Sequence, residues 1–174
     1  MILNCVVAVD GNWGIGLNGN LLFRNKDDLR YFRQLTQGHT VITGRKTLAT
    51  FPTGEPLKNR RNIVLSRTKD GDQITHKTDD DTSLVYCASV EETFKILKET
   101  ENKGECTAFI IGGGEIYRQF LPFCRLAYVT KFSASTMADT FFENLDENPD
   151  WKIQTQFKFD SQITFCVYKN TINS

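Results

Sequence analysis

The chain carries no charge excess: 21 Lys and Arg balance 21 Asp and Glu across 174 residues. Proteins that coat nucleic acid or an anionic membrane normally show a basic surplus, so neither partner is expected. No apolar run approaches the roughly 18 residues of a membrane span. The opening MILNCVVAVDGNWG has no basic residue ahead of its apolar core, and it reads as a strand and not as an export signal. There is no C-x-x-C pair. The five cysteines (Cys5, Cys87, Cys106, Cys124, Cys166) are widely spaced, mostly inside apolar segments. They imply buried free thiols in a reduced, cytoplasmic chain and no zinc cluster. The two histidines, His39 and His76, sit in polar turns without a metal-ligating neighbour at ligand spacing, and both are expected at the surface. No metal site is expected, and without a G-x-S-x-G or Ser–His–Asp arrangement neither is hydrolytic triad chemistry. What is present, 40% hydrophobic and 24% charged residues, is the make-up of an ordinary globular domain.

Ile2–Val9 is a nearly unbroken apolar run, as in a strand buried on both faces. Thr40–Thr43, Asn62–Ser66, Leu84–Ala88, Ala108–Ile111 and Leu126–Phe132 read the same way. Helical patterns lie between them at Lys26–Gln37, Arg45–Thr50, Val90–Glu101 and Glu115–Leu121. Strand and helix in alternation predict a parallel sheet with right-handed crossovers. Two further strand patterns, Trp151–Phe159 and Ile163–Lys169, are joined by Asp160–Gln162, a hairpin-length link. The expected fold is α/β: one domain over residues 1–170, a mostly parallel twisted sheet of about eight strands closed by a C-terminal antiparallel hairpin, about four flanking helices, and a tail at 171–174. Thr68–Ser83 reads as a surface loop excursion, and its Asp79–Asp81 run as a solvated turn.

Chemistry concentrates at strand ends. In AFIIGGGEIY a buried strand runs into Gly112, Gly113 and Gly114 before a helix opens near Glu115. Glycine lets backbone approach a ligand closely, and a helix N-terminus offers free N–H groups to phosphate. In VITGRKT, Gly44 turns the chain and Arg45 and Lys46 begin a short helix; in IVLSRT, Ser66 and Arg67 follow a strand end. Parallel strands align their C-terminal ends, so these turns could line one crevice and hold one long phosphorylated cofactor; solvated surface charges are the alternative. On the Lys26 helix Asp28, Phe32 and Leu35 share a face with Leu29 close by, whereas Asp27 points away and suits an N-terminal cap or dipole partner. Asp28 is either a second such partner or a functional carboxylate in an apolar pocket, with a raised pKa. Arg60 and Arg61 end the loop EPLKNRRN, where one could grip a carboxylate bidentately.

Taken in order, VVAVDGNWGIG, KDDLRYF, VITGRKT, NRRNIVLSR, FIIGGGEIYRQFLP, AYVTKF and ADTFF resemble dihydrofolate reductases, from Ile2 to about Lys169. The resemblance implies NADPH-dependent hydride transfer to C6 of 7,8-dihydrofolate with protonation at N5, in a cytoplasmic monomer that also binds antifolate inhibitors. It implies that Asp28 holds the pterin N3 and 2-amino groups with the Thr130 hydroxyl as its partner, and that Tyr117 completes the catalytic set. Val6, Val7, Leu29, Phe32, Phe51, Leu57 and Ile111 would touch the substrate, with Arg60, not Arg61, on the glutamate α-carboxylate. Ala8, Ile15, Gly16 and Tyr117 would surround the nicotinamide end of the cofactor. Gly44, Arg45, Lys46, Thr47, Leu65, Ser66, Arg67, Gly112, Gly113, Gly114, Glu115 and Ile116 would take its remainder, with the cations favouring NADPH over NADH. The Gly113–Gly114 peptide would be cis. Gly11–Asn20, a turn rich in Gly and Asn, would act as a lid whose motion gates binding and release, with the loop around Ala138–Asp139 as its closing partner. Leu22–Phe23 stands where the family usually has Pro-Trp, and Asn25–Lys26 where it has Leu-Pro. Two rival readings are a pyrimidine-type reductase of riboflavin synthesis, which would need neither Asp28 with Phe32 nor the Arg60 clamp, and a non-catalytic folate- or nucleotide-binding module.

Overall fold

The computed structural model describes residues 1–51, 53–67, 76–79, 81–102, 104 and 107–173, the segment 76–79 through its backbone alone. Strand β1 (Ile2–Val9) opens the chain, followed by a short hairpin, β2 (Gly14–Leu17) and β3 (Asn20–Leu21). Helix α1 (Lys26–Thr36), strand β4 (Thr40–Gly44), helix α2 (Arg45–Ala49) and strand β5 (Arg61–Leu65) come next. Strands β6 (His76–Asp79) and β7 (Thr82–Cys87) precede helix α3 (Val90–Glu101), strand β8 (Thr107–Gly112) and helix α4 (Gly114–Phe120). Strands β9 (Leu126–Phe132), β10 (Thr140–Phe141), β11 (Trp151–Lys158) and β12 (Ile163–Asn170) end it.

The main sheet has nine strands in the order β11-β12-β9-β1-β8-β4-β5-β7-β6. Its centre is parallel, and β11, β12 and β6 pair antiparallel at the margins. The central strands are apolar on both faces because both faces are covered. Leu3, Cys5, Val7 and Val9 join Ile42, Ile63, Ala108, Ile110 and Val129 in the main core, against Leu97 of α3 and Ile116 and Phe120 of α4. On the opposite face α1 docks through Tyr31, whose ring lies 4.7 Å from that of Phe165.

Local rules explain the boundaries. Helix α1 starts where the Asn25 side chain accepts the N–H groups of Asp27 and Asp28 at 2.9 and 3.1 Å. The cap is thus Asn25; Asp27 is a first-turn residue beside the helix dipole, paired with Arg30 at 3.4 Å. Helix α3 is capped by Ser89, which accepts from Glu92 N, while the Glu92 carboxylate takes Ala88 N–H.

Four sequence expectations need correction. Part of the 68–83 excursion is a ninth strand, because β6 pairs with β7 across Lys77–Ser83 and Asp79–Thr82; residues 68–75 and 80 lie outside the described residues. The stretch 11–20 is no simple turn. Asn18 and Gly19, at φ 51° and 78°, form a two-residue hairpin turn, and β10 completes a three-stranded sheet with β2 and β3. His39 is half-buried, its ring 5.6 Å from Phe109. The cis peptide is Gly112–Gly113, one residue earlier than expected. Strand β8 runs through Gly112 and α4 begins at Gly114, so the turn between them falls on that bond. The cysteines Cys5, Cys87, Cys124 and Cys166 are buried free thiols, as expected; Cys106 lies outside the described residues.

Candidate active site

In this strand order the chain builds outward from β1 through β4, β5 and β7, returns to insert β8 beside β1, and then adds β9 on the other side. A parallel sheet opens its ligand crevice at such a reversal, beyond the C-terminal ends of the strands. Val9, Gly44, Leu65 and Gly112 all end strands along that edge.

One part of the crevice is made of backbone and cations. The N-caps of α2 and α4, Gly44 and Gly113, have no side chain bonded to the first-turn N–H groups. The two caps interlock. A Cβ on Gly44 would lie 3.1 Å from Ile116 Cγ1, and one on Gly113 would lie 2.8 Å from Thr47 Oγ1. Gly112 has φ +115°, and a Cβ there would meet the Tyr117 ring at 3.2 Å. Arg45, Lys46 and Arg67 stand exposed beside half-buried Thr47, Leu65 and Ser66, and none of the three cations is ion-paired among the described residues. Open N–H groups and free cations at adjoining strand ends fit the phosphates of a dinucleotide, and the space is one that any Cβ would fill. Glu115 is turned along its own helix, bonded to Arg118 and, at 2.9 Å, to Gln119 Nε2.

The other part lies under α1. Asp28 is half-buried; burial raises its pKa, and a hydrogen bond from the Thr130 hydroxyl partly offsets that. Tyr117 is buried, its hydroxyl donating to Val6 O at 2.6 Å. Its pKa lies well above the usual phenol value, first through burial, then through Cys5 and the nearby Asp28 carboxylate. Asp28, Thr130 and Tyr117 are therefore brought together from α1, β9 and α4. Replacing Tyr117 by Phe removes that hydrogen bond, and thermal denaturation should show a loss of about 1 kcal/mol, roughly 2–4 °C in a chain of this size.

Phe32 is half-buried beneath the Arg60 guanidinium, which sits 6.0 Å from the ring centre. Arg60 is only 8% exposed. It donates through Nε to Thr36 Oγ1 at 2.9 Å and through Nη1 to Lys58 O at 2.5 Å. Burial, and then Arg33, lower its pKa, and no acidic side chain pairs with it among the described residues. A buried guanidinium with no acidic partner has the charge and the donor geometry to take a carboxylate from a ligand. Arg61 instead bonds Thr100 of α3. Leu29, 50% exposed, stands on the neighbouring surface of α1. Leu57 and Ile111 are half-buried, Ile111 at a register shift between β8 and β4. Phe51 packs against Leu48, Val64 and Leu84. Val7 does not join the site through its side chain, which is packed in the core with Val9, whereas Val6 and Ala8 alternate to the α1 face.

The predicted lid meets the predicted partner. Asp139 accepts Asn18 N–H at 2.7 Å and donates its own N–H to Gly16 O at 3.0 Å. Ile15 Cδ1 would lie 3.9 Å from a Cβ on Gly114, so the lid reaches the glycine turn. Trp13 is held at φ 63°, costly for a bulky residue, by packing on Phe142 and Tyr168 and by Lys131 Nζ 4.8 Å from its ring. Phe23, three residues beyond the lid, stacks on Phe132 with centroids 4.0 Å apart.

Several residues that shape the site are not singled out by the sequence patterns above: Asp10, Asn25, Thr36 and Asn62. An Asn placed just before a helical pattern is a readable cap signal for Asn25. Each of the others also bonds a partner more than 20 residues away, Thr136 for Asp10, Arg60 for Thr36 and Ser83 for Asn62, and no local pattern marks that contact.

The dihydrofolate reductase family model matches residues 2–170. Dihydrofolate reductase of Bacillus subtilis is 31% identical over 152 residues, covering 87% of this chain and 81% of the relative. That of Staphylococcus haemolyticus is 34% identical over 154 residues, covering 86% and 81%. A solved structure of Enterococcus faecalis dihydrofolate reductase, complexed with NADP(H) and RAB-propyl, superposes with a TM-score of 0.77 at 24% identity, covering 97% of this chain and 96% of that one. A match of this extent, running through the glycine turn, the α1 carboxylate and the strand-end cations alike, shows that the chain belongs to the dihydrofolate reductase family.

Proposed function

We propose that Asp28, Thr130, Tyr117 and Arg60 carry out in this chain the reaction of its family, the NADPH-dependent reduction of 7,8-dihydrofolate to tetrahydrofolate. The observation that carries this reading is the half-buried Asp28 carboxylate, with its raised pKa, facing Thr130 and Tyr117 at the sheet's switch point. The hydride for C6 comes from the nicotinamide of NADPH when that cofactor is bound. Asp28 accepts from the paired N–H donors of the pterin, and Thr130 fixes the carboxylate's orientation. Such a paired contact favours positive charge on the pterin, which assists protonation at N5. Tyr117, kept neutral by burial, holds the floor of the site to β1 through Val6 O. Arg60 receives the glutamate α-carboxylate, while Phe32, Leu29, Phe51 and Leu57 line the path of the aminobenzoyl ring. Arg45, Lys46, Thr47, Ser66 and Arg67, with the open N–H groups of α2 and α4, hold the cofactor phosphates. The same Asp28 would bind the amidine face of antifolate inhibitors. The reading extends to a cytoplasmic monomer; no described helix is long and apolar enough to cross a membrane.

The direct test is the loss of reduced-nicotinamide absorbance when NADPH and dihydrofolate are mixed with the protein. Binding of NADPH without oxidation would overturn the pterin assignment. Arg67→Leu should raise KM for NADPH about tenfold and leave KM for NADH unchanged, since only the former carries the extra phosphate. Equal changes for both cofactors would remove Arg67 from that role.

A further inference from the structure

We propose that Asn62 is a positioning residue that sets the Arg60 clamp and the Leu57 wall against α1, and so determines preference for substrates that end in a carboxylate. The inference rests on the reading of Arg60 as that clamp. Asn62 is the second residue of β5 and is 1% exposed. Its Oδ1 accepts Leu57 N–H at 2.9 Å, and its Nδ2 donates to Leu57 O at 2.9 Å. One amide thus bonds both backbone groups of a single residue, as a neighbouring strand would. The same Nδ2 lies 3.1 Å from Arg60 O and 3.1 Å from Ser83 O. Two N–H groups serve three carbonyls, so no donor is spare.

These bonds hang the loop that carries the clamp on the sheet. Inside the loop Asn59 is at φ 56°, its N–H bonded to Thr82 Oγ1 at 2.9 Å and its carbonyl to Gly38 N–H at 2.8 Å. Among the described residues the guanidinium itself hydrogen-bonds Thr36 Oγ1 of α1 and Lys58 O, and the Lys58 carbonyl belongs to that same loop. Where the guanidinium sits relative to Phe32 therefore follows from where Asn62 fixes Leu57 and Arg60. Alanine at 62 takes the acceptor from Leu57 N–H and the side-chain donor from three carbonyls, of which Arg60 O keeps the Ser83 N–H at 3.2 Å; aspartate keeps an acceptor for Leu57 N–H and supplies no donor.

The experiment compares kcat/KM for 7,8-dihydrofolate with that for 6-methyl-7,8-dihydropterin, which lacks the glutamate tail, in wild type, Asn62→Ala, Asn62→Asp, Arg60→Leu and the Asn62→Ala/Arg60→Leu double variant. Both substrates are measured on one preparation, so any loss of folded protein cancels in the ratio. Arg60→Leu should lower the ratio tenfold or more, each Asn62 variant should lower it about tenfold, and the double variant should fall no further than Arg60→Leu alone. If the Asn62 variants slow both substrates equally, Asn62 is structural only and the proposal is overturned. If Arg60→Leu leaves the ratio unchanged, the clamp reading fails, and the proposal with it.

Discussion

Asp28→Asn should lower kcat/KM for dihydrofolate by about 10²–10⁴ and, near neutral pH, raise the melting temperature. Both effects have one source. Burial raises the Asp28 pKa above the 3.8 of a free side chain, and the Thr130 hydrogen bond offsets that only in part. Between 3.8 and the raised folded value, the folded protein holds a proton that the unfolded chain has released. The stability from that proton is complete below 3.8 and is lost as pH rises through the folded pKa. At neutral pH the wild type therefore keeps an ionised carboxylate in a partly desolvated place, at a cost to folding that an amide does not carry. The amide also lacks the charge and the second acceptor needed for the paired N–H donors of a pterin. Steady-state rates and calorimetry across pH check the two halves together. The variant should melt higher than wild type near pH 7, and the gap should close in acid below 3.8. An unchanged rate would remove Asp28 from the chemistry, and a lower melting temperature at neutral pH would make its carboxylate structural.

Much of this arrangement is legible in the amino-acid sequence alone. Ile2–Val9, Val90–Glu101 and Leu126–Phe132 begin and end as their apolar patterns say, because these segments sit wholly within the packed layers. Other boundaries move by a residue or two where a cap or a bulge decides: β8 runs on through Gly112, and α1 stops at Thr36, whose hydroxyl donates to Phe32 O. The strand-end glycines and cations are readable because parallel topology forces them onto one edge. The lid reads as a turn because Gly14–Leu21 is too short and too rich in Gly and Asn to show alternation, and its strand character depends on pairing with Thr140 and Phe141, over 120 residues later. Val7 is drawn into the expected site by its neighbours Val6 and Ala8, although the two-residue period of a strand sends its side chain to the other face. Asn62 and Asp10 are invisible for a simpler reason: Asn62 reads only as the first residue of a strand and Asp10 only as the residue after one, and what their side chains bind depends on partners elsewhere in the chain.

Asp10→Asn, a change of one atom, should cost about 2–4 kcal/mol of stability, a fall of roughly 5–15 °C in melting temperature, and should slow turnover several-fold. The Asp10 carboxylate is 2% exposed and ties the root of the lid to the segment after β9. Oδ1 accepts the N–H groups of Asn12 and Gly14 at 2.9 and 2.7 Å, and Oδ2 accepts the N–H and hydroxyl of Thr136 at 2.8 and 3.3 Å. Every neighbour is a donor, so an amide cannot be fitted either way round: its NH2 faces Asn12 and Gly14 in one orientation and Thr136 in the other. The root of the lid then comes loose while Asp139 still holds the tip at Asn18, and closure over the site is less well defined. Acid gives an independent check. Burial pushes the Asp10 pKa up, but the N–H groups of Thr136, Gly14 and Asn12 and the Thr136 hydroxyl together outweigh it and hold the pKa below 3.8. The stability that the carboxylate adds is therefore present above 3.8 and lost only as pH falls through its lower folded value. The melting difference between wild type and variant should hold from neutral pH down through the ordinary carboxylate range and narrow only below it. A variant that melts like wild type at pH 7, or that turns over at the wild-type rate, would show that the lid is rooted elsewhere, with Trp13 packed on Phe142 and Tyr168 the next candidate.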